Sequence, residues 1–151
     1  MAIRKILVAV DGSKPSSKAG DEAIRLANKH KAELTALFVV SPDVRYAHFE
    51  DLMTPRLPTP LKEVILMAME GGQKYVDEVK QKASGTKIRV KTDVVVSTTS
   101  IVKSIVQYAE EKKMDLIVVG SKGMTGLKRM LLGSTASGIV TYAHCPVLVV
   151  K

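Results

Sequence analysis

The sequence predicts an α/β fold in which a parallel sheet is covered by helices on both faces. Three observations carry that expectation. Short runs rich in Val, Ile and Leu alternate along the chain with segments whose apolar residues recur every three or four positions. Several of the runs are continuously apolar, the pattern of strands buried on both faces. Two of them end in turn-forming residues, Asp11-Gly12 after the first and Gly120-Ser121-Lys122-Gly123 after the fourth. Regular β-α-β alternation calls for right-handed crossovers that place helices over a parallel sheet.

The first expected strand is Ile3 to Val10, β-branched and apolar up to Asp11-Gly12. Pro15 suits a first helical turn, and Ala19, Ala23, Leu26, Ala27 and His30 extend that helix to about Lys31. Leu34 to Val40 is the second strand. The segment Ser41 to Pro60 carries Pro42, Pro55, Pro58 and Pro60 and is expected to be irregular. Leu61, Val64, Ile65, Ala68, Tyr75 and Val79 mark a long helix to about Ala83. Within it Gly71-Gly72 costs roughly 1 kcal/mol per glycine relative to alanine, which a close packing contact would explain. Lys87 to Val96 is the third strand, and Ser97-Thr98-Thr99-Ser100 offers several N-caps for a helix through Ile101, Ile105 and Ala109. Leu116 to Val119 is the fourth strand, Ser134 to about Ala143 the last helix, and Pro146 to Val150 the fifth strand.

Three candidate ligand regions lie at the carboxyl ends of strands: Asp11, Val39-Val40 and Gly120 to Gly123. The last is the most informative. Gly123 is followed by nine residues and then Gly133-Ser134-Thr135, which open a helix. A glycine turn facing a helix start presents unpaired backbone N–H groups to an anion and lets it approach closely. The spacing is neither that of the P-loop nor that of the dinucleotide GxGxxG. Lys122, Lys128 and Arg129 add positive potential beside this turn.

At 151 residues the chain is expected to form one domain over 1–151. No run approaches the roughly 20 apolar residues of a membrane span, and the first apolar run is too short for a signal-peptide core. Membrane association is not expected, and a cytoplasmic protein is. A single cysteine, Cys145, excludes an internal disulfide and reads as a small buried residue beside Pro146. His30, His48 and His144 have no metal-ligand spacing. The net charge of +8 would suit a polyanion, but the lysines are dispersed and aromatics make up only 4%. That disfavours nucleic acid, whose bases are stacked on aromatic side chains.

The chain resembles the universal stress protein family over nearly its whole length. The resemblance lies in Lys5-Ile6-Leu7-Val8-Ala9-Val10-Asp11-Gly12-Ser13, Asp115 to Gly123, Leu132 to Ala136 and Cys145 to Val150. The spacing G-x2-G-x9-G-[S/T] from Gly120 resembles that of the family's ATP-binding members. It implies an open five-stranded sheet in the order 3-2-1-4-5, with Asp11 and the Gly120 turn facing across one crevice. Carried over by position, Val39 would meet adenine through its backbone. Asp11 would lie by the ribose and phosphates and help hold Mg (or Mn), and Gly120, Gly123, Gly133, Ser134 and Thr135 would hold the phosphates. Ala9, Val10, Val119 and Ser121 would line the same crevice. Many members have a glycine just after strand 3, where this chain has Ser97-Thr98-Thr99.

The function expected is that of an ATP-binding regulatory protein in a stress response, with an as yet unnamed protein partner. The resemblance also implies a homodimer through the C-terminal strand. The alternative is an ATP-hydrolysing or nucleotidyl-transferring enzyme. The motif lacks both the Lys-Ser/Thr pair of a P-loop and an obvious residue to activate water, so at most slow hydrolysis is expected. A nucleic-acid-binding accessory domain is a third and weaker reading.

Overall fold

The computed structural model describes residues 2–41, 60–123 and 132–151. Five strands form one parallel sheet in the order β3-β2-β1-β4-β5. They are β1 (Lys5–Ala9), β2 (Glu33–Val40), β3 (Val90–Val96), β4 (Leu116–Gly120) and β5 (Val147–Val150). Four helices are present among the described residues: α1 (Lys14–His30), α2 (Leu61–Lys82), α3 (Ile101–Glu111) and α4 (Ser134–Tyr142). Apart from Ser41 and Pro60, the proline-rich stretch lies outside the described residues.

The strands are fed to opposite faces residue by residue. Ile6, Val8, Leu34, Ala36 and Val118 turn toward α1 and α2, whose Ala19, Ala23, Ala27, Val76 and Val79 complete one core. Leu7, Ala9, Leu37, Ile117 and Val119 turn the other way, onto Ile105 and Ala109 of α3 and Ala136 and Ile139 of α4. This is the period of two of a strand, expressed on both faces at once. Ile6, Leu7, Leu34, Leu37 and Ile117 are wholly excluded from solvent, each contributing about 1.5–3 kcal/mol of apolar burial.

Three strands are shorter than expected: β5 starts at Val147 and not at Pro146, and the other two are cut back because a strand extends only as far as its partner. β1 starts at Lys5, opposite Glu33, not at Ile3. Just before it, the Arg4 and Lys5 N–H groups both donate to Asp115 Oδ2 at 2.9 Å. β3 starts at Val90, opposite Leu34, not at Lys87. Of the four candidate caps before α3, Ser100 is used, its hydroxyl accepting from Lys103 N–H at 3.1 Å. α2 runs unbroken through Gly71-Gly72. A Cβ on Gly72 would lie 2.1 Å from the Phe38 ring, whereas Gly71 faces open space. Only the second glycine is a packing contact.

Candidate functional site

Strand order reverses between β1 and β4, so the connections after these two strands leave to opposite faces and open a crevice at their carboxyl ends. The β1 wall is built from a tight turn. Asp11 N–H donates to Ser16 Oγ at 2.9 Å, and Ser13 N–H donates to Asp11 Oδ1 at 2.9 Å. Ser13 then caps α1, its hydroxyl accepting from Ser16 N–H at 3.2 Å. Between them Gly12 takes φ +86°, and a Cβ there would sit 2.4 Å from the Tyr75 ring. Left-handed backbone and a ring laid on the Cα together require glycine. Asp11 Oδ2 takes no part in the turn and has no partner among the described residues.

The β4 wall is built from backbone. Gly120 is buried against the first turn of α1, where a Cβ would lie 2.7 Å from the Pro15 carbonyl carbon. Ser121, 5% exposed, donates its N–H to Val150 O at 2.7 Å and accepts the Gly133 N–H at 2.6 Å. A Cβ on Gly133 would crowd Ser121 O at 3.1 Å and Lys122 Cα at 3.3 Å. Gly123 faces the opposite wall: its missing Cβ would stand 3.0 Å from Asp11 Oδ2.

Gly133 is the N-cap of α4 and supplies no side chain to the helix start. The first intrahelical bond is Ser137 N–H to Gly133 O at 2.9 Å. The N–H groups of Ser134, Thr135 and Ala136 therefore have no acceptor among the described residues. They form the positive end of a helix dipole beside the crevice.

The structure thus brings together Ala9, Val10, Asp11, Val119, Gly120, Ser121, Gly123, Gly133, Ser134 and Thr135. Val39 lies one strand over. Its apolar side chain is in the core, 6% exposed. Leu37 O accepts from Val10 N–H at 2.9 Å. Two residues on, the Val39 carbonyl points the same way, past the end of β1. The Gly12 N–H does not reach it. Lys122 is half-buried, while Lys128 and Arg129 lie outside the described residues.

Sequence reasoning missed Ser13, Ser16 and Tyr75 as supports of the Asp11 turn. The serine-rich stretch after Gly12 was the available signal for the first two. Nothing local pointed to Tyr75, which reaches the turn from a helix more than sixty residues away.

His30 and His144 are exposed, and His48 lies outside the described residues. Cys145 is half-buried, not buried as expected, and that partial burial, followed by the nearby Asp115 charge, pushes its thiol up, away from a reactive thiolate. Ser97, 2% exposed, donates to Ser100 O at 3.1 Å and accepts from Thr99 N–H and Ser104 Oγ. The strand-3 rim is therefore closed by its own hydrogen bonds. No group of three or more His, Cys, Asp or Glu could hold a metal among the described residues. None of the described helices is long and apolar enough to cross a membrane.

This sheet order and crevice agree with a match of the universal stress protein family model to residues 2–151. The chain belongs to the universal stress protein family. It is 37% identical over 152 residues to universal stress protein MJ0531 of Methanocaldococcus jannaschii, covering 98% of this chain and 82% of that protein. Among solved structures, universal stress protein UspA of Lactobacillus plantarum superposes with a TM-score of 0.82 at 29% identity, covering 100% of this chain and 99% of that one. Two remoter universal stress proteins were solved with ligands. One is in complex with cAMP (23% identical, TM-score 0.69, 100% and 98% covered). The other, from Archaeoglobus fulgidus, is in complex with dAMP (19%, TM-score 0.66, 100% of both chains covered). At those identities the likeness is one of fold.

Proposed function

We propose that residues 1–151 act as one ATP-binding domain of a regulatory universal stress protein, with the nucleotide held across the ends of β1 and β4. The observation that carries this reading is the uncapped start of α4 beside the Asp11–Gly123 gap. Three N–H groups without an acceptor among the described residues and the Ser134 and Thr135 hydroxyls suit phosphate oxygens, and Gly123, which has no side chain, keeps the space before Asp11 clear. The outward Val39 carbonyl suits the amino group of adenine. The cAMP and dAMP complexes of other family members support an adenine nucleotide.

Asp11 Oδ2 is one carboxylate oxygen, too few for a metal cage but suited to a magnesium ion whose other ligands are phosphate and water. Asp11 would hold that ion, which would neutralise phosphate charge when bound. No described crevice side chain is a Glu, Gln or His placed to activate water, which favours a binding role over rapid hydrolysis. Binding of ATP would shift the population of one conformation or assembly and so report nucleotide level to a partner.

The same reading includes a homodimer through β5. Among the described residues that strand is hydrogen-bonded to β4 alone and ends the sheet. Beside it Val140 and Tyr142 of α4 are 50% and 72% exposed. Ile117 N–H bonds Pro146 O, and Ser121 N–H bonds Val150 O, so the even-numbered residues of β5 face β4 and the Val149 N–H faces outward. Val149→Pro should remove an edge donor and leave the β4 ladder intact. A folded variant that stays dimeric in light scattering would count against pairing at this edge.

The nucleotide reading is tested by heat-denaturing the purified protein and resolving the supernatant by anion exchange, with calorimetric titration of the stripped protein by Mg-ATP. Co-purified ATP or ADP is expected. Absence of bound nucleotide together with no heat of binding would overturn it. Steady-state turnover in the ordinary enzymatic range of roughly 1–10³ s⁻¹, with no partner added, would favour the ATPase reading.

A further inference from the structure

The amino end of the sheet carries a groove of about 440 Å³, within the roughly 300–1,000 Å³ of small-molecule sites. It begins at Lys5, Glu33 and Val90, the first residues of β1, β2 and β3. It lies at the opposite end of the strands from the Asp11–Gly123 crevice.

Its rim is basic. Lys5, Lys80, Lys91 and Lys112 line it, against the carboxylates of Glu33 and Asp93. Lys91 is paired with Glu33 at 3.1 Å. Lys5 Nζ donates to Lys112 O at 3.1 Å, and Lys112 Nζ lies 5.9 Å from the centroid of the Tyr108 ring. Lys5, Lys80 and Lys112 have no carboxylate partner among the described residues. Lysines are common where helices end, and Lys80 and Lys112 stand at the ends of α2 and α3. The rim alone would therefore mean little.

The floor is different. Thr35, the third residue of β2, is 3% exposed, lines the groove, and has no hydrogen-bond partner for its hydroxyl among the described residues. A buried hydroxyl left without a partner is costly, and valine would fill the same space without that cost. Beside it the Tyr108 hydroxyl donates to Asp93 Oδ2 at 2.9 Å, leaving Asp93 Oδ1 without a partner among the described residues. Burial and then Asp93 push the Tyr108 phenol up, so it remains a donor and fixes that carboxylate.

We propose that this groove binds a small phosphorylated sugar or polyol, its phosphate on the rim lysines and its hydroxyls on Thr35 and Asp93. A bare anion would be repelled by Asp93 and Glu33, and an uncharged sugar would leave the lysines unused. A ligand with an anionic end and a hydroxylated end uses the lysines, the carboxylates and the buried hydroxyl together.

The test is an NMR titration of the ¹⁵N-labelled full chain with glucose 6-phosphate, alongside glucose and inorganic phosphate. Saturable shifts at Thr35, Thr92, Asp93 and Lys112 are expected with glucose 6-phosphate, with at least about tenfold weaker binding of either fragment. Thr35→Val should fold at least as stably as the parent and bind about tenfold more weakly. Lys112→Ala, an exposed position, should weaken glucose 6-phosphate and inorganic phosphate alike and provides a second reading should Thr35→Val misfold. Four results would each overturn the proposal. They are no shifts at millimolar ligand, shifts confined to Asp11, Gly123 and Ser134, equal affinity for inorganic phosphate, and unchanged affinity in a folded Thr35→Val.

Discussion

Two helices begin at the crevice, α1 after β1 and α4 after the glycine turn, and they begin in opposite ways. At α1 most of the polar groups are consumed locally, and only the Lys14 N–H of the first turn is left without an acceptor among the described residues. Ser13 caps the helix, Ser16 accepts the Asp11 N–H, Asp11 accepts the Ser13 N–H, and Pro15 brings no N–H at all. At α4 the cap is Gly133, which has no side chain, and the next three N–H groups are left over. Two helix starts at one crevice thus have different capacities for an anion. A helix N-terminus attracts phosphate only when its own sequence leaves it unsatisfied.

The two walls also use glycine differently, and the largest effect expected comes from that difference. Gly120 of β4 makes room for Pro15 of α1 and not for a ligand. Gly120→Val should cost about 1–3 kcal/mol or more through overpacking against backbone, seen as a lower midpoint in urea. A variant as stable as the parent would mean that α1 can shift, and that Gly120 is free to serve the crevice after all.

Next in size is the conversion of α4 into a second α1. Gly133→Asp gives the helix a cap and places a negative charge where phosphate would lie. Nucleotide affinity should fall by about a hundredfold or more, with some loss of stability because the new Cβ meets Ser121 O at 3.1 Å, while circular dichroism stays that of the folded protein. Gly123→Val should act similarly by filling the gap to Asp11 Oδ2. Retained affinity in either folded variant would remove the α4 start from the binding site.

A smaller effect is expected at Asp11. Asn keeps the oxygen that accepts from Ser13 N–H but removes the charge, so the turn survives. Asp11→Asn should weaken Mg-ATP about tenfold and metal-free ATP much less. Equal losses in the two titrations would assign Asp11 to the ribose or to the turn.

The smallest effect tests the α1 side directly. Ser13→Ala should cost about 1 kcal/mol of stability and leave nucleotide affinity unchanged, because its hydroxyl is turned into the helix. A loss of affinity larger than the loss of stability would show that the capped helix, too, contributes to binding.

Much of this arrangement was legible beforehand. The apolar runs located every strand, and the resemblance supplied the order 3-2-1-4-5 that the structure has. The facing of Asp11 and the glycine turn was expected and is found. The strand ends were less legible. Ile3 and Lys87 continue an apolar or alternating pattern, yet the ladder stops at Lys5 and Val90 because β2 begins at Glu33. Thr35 was equally silent: a threonine within an apolar run suggests only a strand.

By itself, the sequence determined what depends on near neighbours. The period of its apolar residues fixed the elements, because a strand or helix exposes or buries its own residues in a rhythm set by backbone geometry alone. The spacing from Gly120 to Thr135 marked the turn and helix start. Only the tertiary structure decided what each glycine is for, since a missing side chain has meaning only through what occupies its place. Pro15 fills it at Gly120, Tyr75 at Gly12 and Phe38 at Gly72, while Gly123 opens toward Asp11. Each of those neighbours comes from another element, and which one arrives is settled by packing across the whole sheet.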